Sequence, residues 1–256
     1  MNQSVAIVTG ASAGIGRATA IRLASDFKFV VLAARNEKAL QETAEAVKSA
    51  GAEPLVLALD LRQPDAAKML VSKTLETFGR IDALLNIAGA IPQVEILEMT
   101  DAQWDDGLAL KLHGARRATI HAWEALKKSR GSVVFMSGNS ALEPKPPFAA
   151  VATINAAIVA MAKAFSERGI HDGVQVNSVL PGPVFTNRRR TYMEKYAPLH
   201  NMTLEEALEK FPAEAGITRY GQPDDIANLM AFLVSPAGKW MTGSAIRMDG
   251  GEIKTI

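Results

Sequence analysis

Short apolar runs alternate with amphipathic segments along most of this chain. The apolar runs predict strands at Val5–Val8, Phe29–Leu32, Leu55–Ala58, Ile81–Leu85, Ser132–Met136 and Val174–Val179, with a shorter one near Ala245–Arg247. The segments between them predict helices, the first ending at about Asp26 and the others at Glu37–Ala50, Pro64–Phe78, Asp101–Lys128, Val151–Ser166 and Pro223–Leu233. This alternation is typical of an α/β fold, in which helices cover both faces of a doubly wound parallel sheet, here of about seven strands.

The segment Gly182–Gly216 is the one long interruption of this alternation. Short turns join the other elements, so the pattern predicts a single domain over residues 1–256. Long loops in compact domains are often functional, and we predict a substrate lid at about 182–216; a solvated surface excursion is the alternative. Its aromatic side chains could approach a ligand only when the lid closes. They are Tyr192, Tyr196 and His200.

Composition narrows the classes of function. The 256 residues are 48% hydrophobic and 21% charged, which is ordinary for a globular protein, and the formal net charge of +1 gives no reason to expect nucleic acid or an anionic membrane as partner. The chain has no cysteine, and none of its four histidines has metal-ligand spacing, so no metal is expected. The first residues lack the regions of a signal peptide and no apolar run approaches membrane-spanning length, so we expect a cytoplasmic protein.

A glycine-rich turn follows the first predicted strand. Residues 9–16 read Thr-Gly-Ala-Ser-Ala-Gly-Ile-Gly and open the first helix. Glycines allow a tight turn and let the backbone come close to a pyrophosphate, while the helix N-terminus offers free N–H groups and a positive dipole end. In this strand–turn–helix context the pattern predicts a dinucleotide site.

The end of the second strand indicates which dinucleotide is bound. An acidic side chain there would accept hydrogen bonds from a ribose diol, but the sequence reads Ala33-Ala34-Arg35-Asn36 and has no carboxylate. Arg35 could pair with a 2′-phosphate through strong charge-assisted hydrogen bonds. We therefore predict NADP(H) as cofactor; the alternative for Arg35 is a surface arginine at the start of a helix.

The turn resembles the Thr-Gly-x-x-x-Gly-x-Gly signature of the short-chain dehydrogenase/reductase family. Further segments resemble family motifs in the same order along essentially the whole chain, namely Asp60–Leu61, Asn86–Gly89, Asn177–Thr186, Gly221–Ala227 and Met248–Gly251. The resemblance implies a Rossmann-type fold and hydride transfer between C4 of nicotinamide and a carbonyl or alcohol carbon. It also implies a homo-dimer or homo-tetramer.

The glycine turn, the second strand and the family motifs together predict the residues that contact NADP(H). They are Gly10, Ser12, Ala13, Gly14, Ile15, Gly16, Arg35, Asn36, Asp60, Leu61, Asn86, Ala88, Gly89, Asn155, Pro181, Gly182, Val184 and Thr186.

The family's catalytic positions carry other residues in this chain. The family that this sequence resembles catalyses its reaction with four residues: an asparagine, a serine, a tyrosine, and a lysine four residues after the tyrosine. Alignment of the motifs puts Val151 at the tyrosine position, Asn155 at the lysine position and Gly138, next to Ser137, at the serine position. Lys111 falls at the asparagine position. In this alignment all four positions of the tetrad are therefore replaced; a shift of one residue would restore Ser137, but no tyrosine lies near enough to restore the proton donor.

Two of these replacements are reciprocal, because Lys111 and Asn155 exchange the lysine and the asparagine of the family pattern. One ammonium and one amide would then remain in the same pocket. A desolvated Lys111 could have a lowered pKa and act as general acid, with Asn155 on the nicotinamide ribose and Ser137 as a further catalytic candidate. The alternative is drift after loss of catalysis, in which Lys111 is an ordinary helix lysine.

Three functions remain open on the sequence. The first is an NADP(H)-dependent oxidoreductase acting on a small carbonyl or alcohol compound with a non-standard site. The second is a catalytically silent subunit that pairs with an active relative, and the third is an NADP(H)-responsive regulator. Arg188, Arg189 and Arg190 could attract an anionic substrate, although a solvated charge cluster is the alternative.

Overall fold

The computed structural model describes residues 3–255 and contains a seven-stranded parallel sheet. The strand order is β3-β2-β1-β4-β5-β6-β7. The strands are β1 (Val5–Thr9), β2 (Phe29–Ala34), β3 (Glu53–Ala58), β4 (Ala83–Asn86), β5 (Ser132–Met136), β6 (Gln175–Pro181) and β7 (Ala245–Met248). This sheet confirms the predicted Rossmann-type fold.

Helices pack on both faces of the sheet. They are α1 (Gly14–Leu23), α2 (Glu37–Ser49), α3 (Ala66–Phe78), α4 (Asp101–Gly107), α5 (Ala115–Ser129), α6 (Ala149–Asp172), α7 (Asn187–Leu199), α8 (Leu204–Glu214) and α9 (Pro223–Val234). Successive residues of a strand point to opposite faces. Val5 and Ile7 of β1 accordingly pack in the core with α3, α5 and α6, whereas Ala6 and Val8 pack in the core with α1, α2 and α9.

The strands are all parallel, but the direction in which successive strands are added to the sheet reverses at β1. This strand pairs with β2 on one side and with β4 on the other, so the two connections leave in opposite directions. In open parallel sheets, ligands bind in the crevice that such a switch point creates beyond the carboxyl ends of the strands. The glycine-rich turn follows β1 at this crevice.

The predicted helix at Asp101–Lys128 is continuous, but its middle is not α-helical. Residues Leu108–Gly114, between α4 and α5, form a π-helical stretch that contains Lys111. A π-helical stretch has wider turns than an α-helix and is frequent at functional sites. Side-chain directions around Lys111 therefore depart from the spacing that an ideal α-helix would give.

The segment Gly182–Gly216 is helical, which corrects the expectation of a long irregular loop. It contains α7 and α8, each of which begins at a threonine cap: the hydroxyl oxygen of Thr186 accepts from the Arg189 amide at 3.3 Å and that of Thr203 from the Glu206 amide at 3.2 Å. Both helices contain an internal proline and share only a small buried cluster. The apolar pattern of α7 is weak, whereas the prediction overlooked the helical spacing of apolar residues in α8.

One further expectation needs correction. The helical stretch Pro146–Asp172, which includes α6, is long and apolar enough to cross a membrane by length and composition, with a mean hydropathy of 1.7 over its most apolar part. The sequence prediction gave a helix here but overlooked its length and hydropathy, because isolated polar residues interrupt the apolar run. In the structure, α6 buries Ile154, Ile158 and Ala162 in the fold, and 39% of that apolar part is buried.

Candidate active site

The glycine-rich turn has a geometry that only glycine allows at several positions. Gly10 and Gly14 have φ of +70° and +53°, in the left-handed region, and a Cβ on Gly16 would lie 2.1 Å from the carbonyl oxygen of Gly10. Helix α1 starts at this turn, and no side chain caps its N-terminus at Ala13. Its first N–H groups are therefore available to an anionic ligand, so the turn fits a pyrophosphate.

Thr9 holds the turn against β4. Its hydroxyl oxygen accepts hydrogen bonds from the amides of Ile87 and Ala88, at 2.9 and 3.1 Å, and donates to the carbonyl oxygen of Leu85. A Cβ on Gly10 would lie 3.0 Å from the Cα of Ala88. The carboxyl ends of β1 and β4 are thus closely joined at the point where a dinucleotide would cross the sheet.

A large cleft of about 1690 Å³ runs along the carboxyl ends of the strands. All of the residues predicted to contact the cofactor line it except Asn86 and Val184. The Asn86 side chain is buried and donates to the hydroxyl of Thr119 at 3.1 Å, so it joins β4 to α5. Val184 lines a smaller recess beside Ile15.

Charged residues surround the end of the cleft where Arg35 lies. The Arg35 side chain is 62% exposed, and its Nη1 is 4.0 Å from a carboxylate oxygen of Asp60. Arg62 donates to Asp60 at 3.3 Å and also to both carboxylate oxygens of Asp106, whose pKa it lowers. Asn36 caps α2 by accepting from the Ala39 amide at 3.1 Å, which leaves its amide hydrogens for a ligand.

Lys111 and Asn155 meet in the middle of the cleft. The Lys111 Nζ donates to Asn155 Oδ1 at 2.5 Å and to the carbonyl oxygen of Ser137 at 3.1 Å. Asn155 Nδ2 in turn donates to the hydroxyl of Ser140 at 2.9 Å. The two residues predicted to have exchanged places are therefore direct hydrogen-bond partners.

The environment of Lys111 disfavours its charged form. Burial and, to a smaller extent, the positive charge of Arg188 together lower the pKa of Lys111 to about 7. The aliphatic stem lies against Gly89, where a Cβ would come within 3.0 Å of Lys111 Cδ. Arg188 is held nearby because its guanidinium donates to the carbonyl oxygens of Gly89 and Ile91, at 3.4 and 2.9 Å.

The remaining positions of the aligned tetrad have distinct surroundings. Ser137 is buried, and its hydroxyl donates to the carbonyl oxygen of Asn155 at 2.8 Å. A Cβ on Gly138 would lie 2.6 Å from Asn155 Nδ2, so the absence of a side chain there makes room for the amide. Val151 packs beside the buried Ile91 and Ile154. These contacts give Ser137 and Gly138 a supporting role around Asn155.

An aromatic wall made by Phe148 just before α6, by residues of and just after α7, and by Phe211 of α8 borders the cleft. Phe148 and Tyr192 have ring centroids 5.5 Å apart, Tyr192 and Tyr196 are 5.9 Å apart, and Tyr196 stacks on His200 at 3.7 Å. These side chains line the cleft in the structure as it stands. The expectation that Tyr192, Tyr196 and His200 reach it only on closure is therefore wrong.

Glu252 also lines the cleft, and the sequence analysis did not single it out. Burial raises the pKa of its carboxyl group, which accepts a hydrogen bond from Asn139 Nδ2. Asp249 keeps the chain in place here, because its carboxylate accepts from the amides of Gly251 and Ile253, each at 3.0 Å. The only signal for Glu252 in the sequence was its position directly after the motif at Met248–Gly251.

Comparison with known proteins agrees with this architecture. A family model described as enoyl-(acyl carrier protein) reductase matches residues 10–252. A putative ketoacyl reductase of Streptomyces coelicolor is 30% identical over 253 residues, which cover 98% of this chain and 97% of that protein. A 3-oxoacyl-(acyl-carrier-protein) reductase of Staphylococcus aureus is 27% identical over 248 residues, 96% of each chain.

Solved structures of reductases have the same fold over nearly the whole chain. L-Sorbose reductase from Gluconobacter frateurii, complexed with NADPH and L-sorbose, superposes with a TM-score of 0.94 at 27% identity, covering 100% of this chain and 98% of that one. A variant of actinorhodin polyketide ketoreductase with NADPH gives a TM-score of 0.93 at 29% identity, covering 98% and 99%.

The parallel sheet, its switch point and the glycine-rich turn define a dinucleotide-binding protein of the Rossmann type. The chain belongs to the short-chain dehydrogenase/reductase family. Within that family the proteins it is similar to are reductases, two of them solved with NADPH.

Proposed function

We propose that this protein interconverts a small carbonyl compound and its alcohol with NADP(H), using Lys111 instead of the family's tyrosine as the proton donor. The observation that carries the proposal is the contact between Lys111 Nζ and Asn155 Oδ1 at 2.5 Å, inside the cleft. The contact joins two positions of the tetrad with their residue types exchanged. It favours a rearranged catalytic site over unrelated drift at each position.

The residues of the cleft suit NADP(H). The turn from Gly10 to Gly16 would hold the pyrophosphate, since its glycines leave the backbone accessible and the α1 N-terminus has free N–H groups. Arg35 would bind the 2′-phosphate, because its guanidinium is exposed and only loosely paired with Asp60. When bound, NADPH supplies the hydride.

Lys111 is placed to handle the proton. Its ammonium has three N–H donors, of which Asn155 Oδ1 and the Ser137 carbonyl take two. The third can donate to the oxygen of a substrate, stabilise the negative charge that develops there and then transfer its proton. A pKa of about 7 lets Nζ give up a proton in the reductive direction and accept one in the oxidative direction at neutral pH.

Asn155 would act by orienting the ammonium. Its Oδ1 accepts from Lys111 while its Nδ2 donates to Ser140, which fixes the amide between two partners. Gly138 allows this arrangement, because a side chain would collide with Nδ2. Ser137 supports it from the backbone side through its bond to the Asn155 carbonyl oxygen.

The test is NADPH oxidation by the purified protein over a panel of aldehydes and ketones. Lys111→Met should lower kcat by about 100- to 10,000-fold, the usual range for loss of a general acid, while the affinity for NADPH changes little. Lys163→Met is the matched control, because that lysine lies exposed on α6 and pairs with Glu167. Full turnover by Lys111→Met would contradict the assignment.

A silent subunit is the second candidate, and Val151 is the observation that favours it. An apolar side chain packed against Ile91 and Ile154 occupies the position of the family's proton donor. In that case the wild-type protein should bind NADPH yet reduce no member of the panel. It should also copurify with a relative that has the complete tetrad.

A further inference from the structure

The three consecutive arginines at the start of α7 have different partners. Arg188 donates to two backbone carbonyl oxygens, and Arg190 pairs with Glu194 at 3.7 Å on the exposed side of the helix. The Arg189 side chain has no hydrogen-bond or ion-pair partner among residues 3–255, although it is half-buried and lines the cleft. The half-buried guanidinium therefore has unused donors.

Aromatic rings hold this guanidinium in place. Its central carbon lies 5.2 Å from the ring centroid of Tyr192 and 5.1 Å from that of Phe211, within cation–π range of both. The carboxylate of Glu252 acts on Arg189 only from beyond ion-pair distance and accepts a hydrogen bond from Asn139. The charge is thus oriented by its neighbours without being neutralised at close range.

A guanidinium in this setting suits one kind of ligand. It presents five N–H donors in a rigid plane that matches a carboxylate or phosphate group, and contact with the rings reduces the entropy lost when it binds. The concave surroundings also strengthen charge-assisted hydrogen bonds relative to bulk water. An anion is the partner that would satisfy these donors.

The position of Arg189 favours an anion on the substrate over a phosphate of the cofactor. The glycine turn and Arg35 already offer sites for the cofactor's phosphates. Arg189 instead contacts the aromatic side chains of α7 and α8, and its neighbour Arg188 is bonded to Gly89, against which the Lys111 stem lies. A substrate could therefore reach from Lys111 to Arg189 along the aromatic wall.

We propose that the substrate carries a carboxylate or phosphate group that pairs with Arg189, and an apolar body that packs along Tyr192. This inference rests on the proposed function, since it takes Lys111 as the group that meets the carbonyl oxygen. It makes the class of substrate an anionic oxo compound or the corresponding hydroxy compound.

The test compares oxo acids with their uncharged amides, for example 4-acetylbenzoate with 4-acetylbenzamide and 4-oxopentanoate with 4-oxopentanamide, on the full chain with NADPH. Wild-type protein should prefer the acids in kcat/KM by about 10- to 100-fold, the usual effect of a charged hydrogen-bonded pair. Arg189→Met should abolish the preference, Arg189→Lys should keep part of it, and the control Arg190→Met should keep it fully. Equal kcat/KM for acid and amide in the wild type would overturn the proposal.

A binding experiment tests the anion site independently of the proposed reaction. Calorimetric titration of 4-acetylbenzoate into protein saturated with NADP⁺ needs no turnover. If no ketone is reduced but the acid binds wild type and not Arg189→Met, the anion site stands and the proposed reaction fails. If neither protein binds the acid in preference to the amide, the anion site is refuted.

A third measurement addresses the cofactor directly. Arg189→Met should leave the affinity for NADPH within about twofold of wild type, because other residues hold the cofactor's phosphates. A loss of NADPH affinity as large as the loss of acid binding would assign Arg189 to a cofactor phosphate and overturn the proposal. Circular dichroism of each variant establishes that it is folded, and Arg189→Lys retains the charge and most of the stem if the methionine variant is not.

Discussion

Replacement of Lys111 by methionine should change how the stability of this protein depends on pH. Burial lowers the pKa of Lys111 from 10.5 to about 7 in the folded protein, whereas the unfolded chain keeps the ordinary value. Between these two values the unfolded state binds one more proton than the folded state. The free energy of unfolding of the wild type therefore rises with pH in this window, by about 1.4 kcal/mol per pH unit from this group alone.

The magnitude follows from the width of that window. From pH 7 to pH 10, Lys111 should contribute about 4 kcal/mol of added stability to the wild type. Lys111→Met has no titrating group at this position, so its curve should lack that rise. The variant also leaves Asn155 Oδ1 and the Ser137 carbonyl without their donor, but this cost is independent of pH and drops out when the two slopes are compared.

Urea denaturation of the apo-protein at several pH values between about 6 and 10 measures the effect, provided that unfolding is two-state. Other titrating groups are common to both proteins and cancel in the difference between the curves. Lys163→Met serves as control, since it makes the same substitution at an exposed position outside the cleft. Parallel curves for wild type and Lys111→Met would refute a lowered pKa at Lys111 and, with it, the argument for this residue as an acid at neutral pH.

Two further predictions concern the neighbouring contacts. Gly138→Ser should force the Asn155 amide away from Ser140, because a Cβ would lie 2.6 Å from Nδ2. The free energy of unfolding should then fall by about 1–3 kcal/mol. Unchanged denaturation and turnover would show that the position of the amide is unimportant. Arg35→Ala should raise the KM for NADPH by about 10- to 100-fold and leave that for NADH unchanged, and an equal effect on both cofactors would argue against a 2′-phosphate contact.

Much of the fold could be predicted from local sequence because its determinants are local. The apolar strands and the glycines between Thr9 and Gly16 are read from neighbouring residues, and the structure has the sheet that they predict. Helix α7 could not be read in this way, because few of its residues are buried and its apolar pattern is weak. Helix α8 does carry a local signal, since Leu204, Ala207, Leu208 and Phe211 have the spacing of one helical face after the Thr203 cap, and the prediction of an irregular segment overlooked it.

Some residues of the candidate site could likewise be predicted from the sequence, and others could not. Alignment with the family pattern selected Lys111 and Asn155, and predicted cofactor positions such as Gly14 line the cleft. Asn86 does not, because its side chain turns toward Thr119 in the interior. The direction of a side chain depends on its packing partners, and the sequence motif alone does not contain that information. The same limit applies to Glu252, which lines the cleft from the turn that the Asp249 carboxylate holds.

The sequence by itself therefore determined the fold class and the glycine-rich turn, since each depends on residue type and short-range spacing. Only the tertiary structure decided that Lys111 and Asn155, 44 residues apart in the chain, are hydrogen-bonded to each other. It also decided that Lys111 is desolvated and that the Arg189 guanidinium lies between two aromatic rings. Burial and charge pairing arise from groups that are distant in sequence and meet only when the chain packs, so the chemistry of this cleft is a property of the folded molecule.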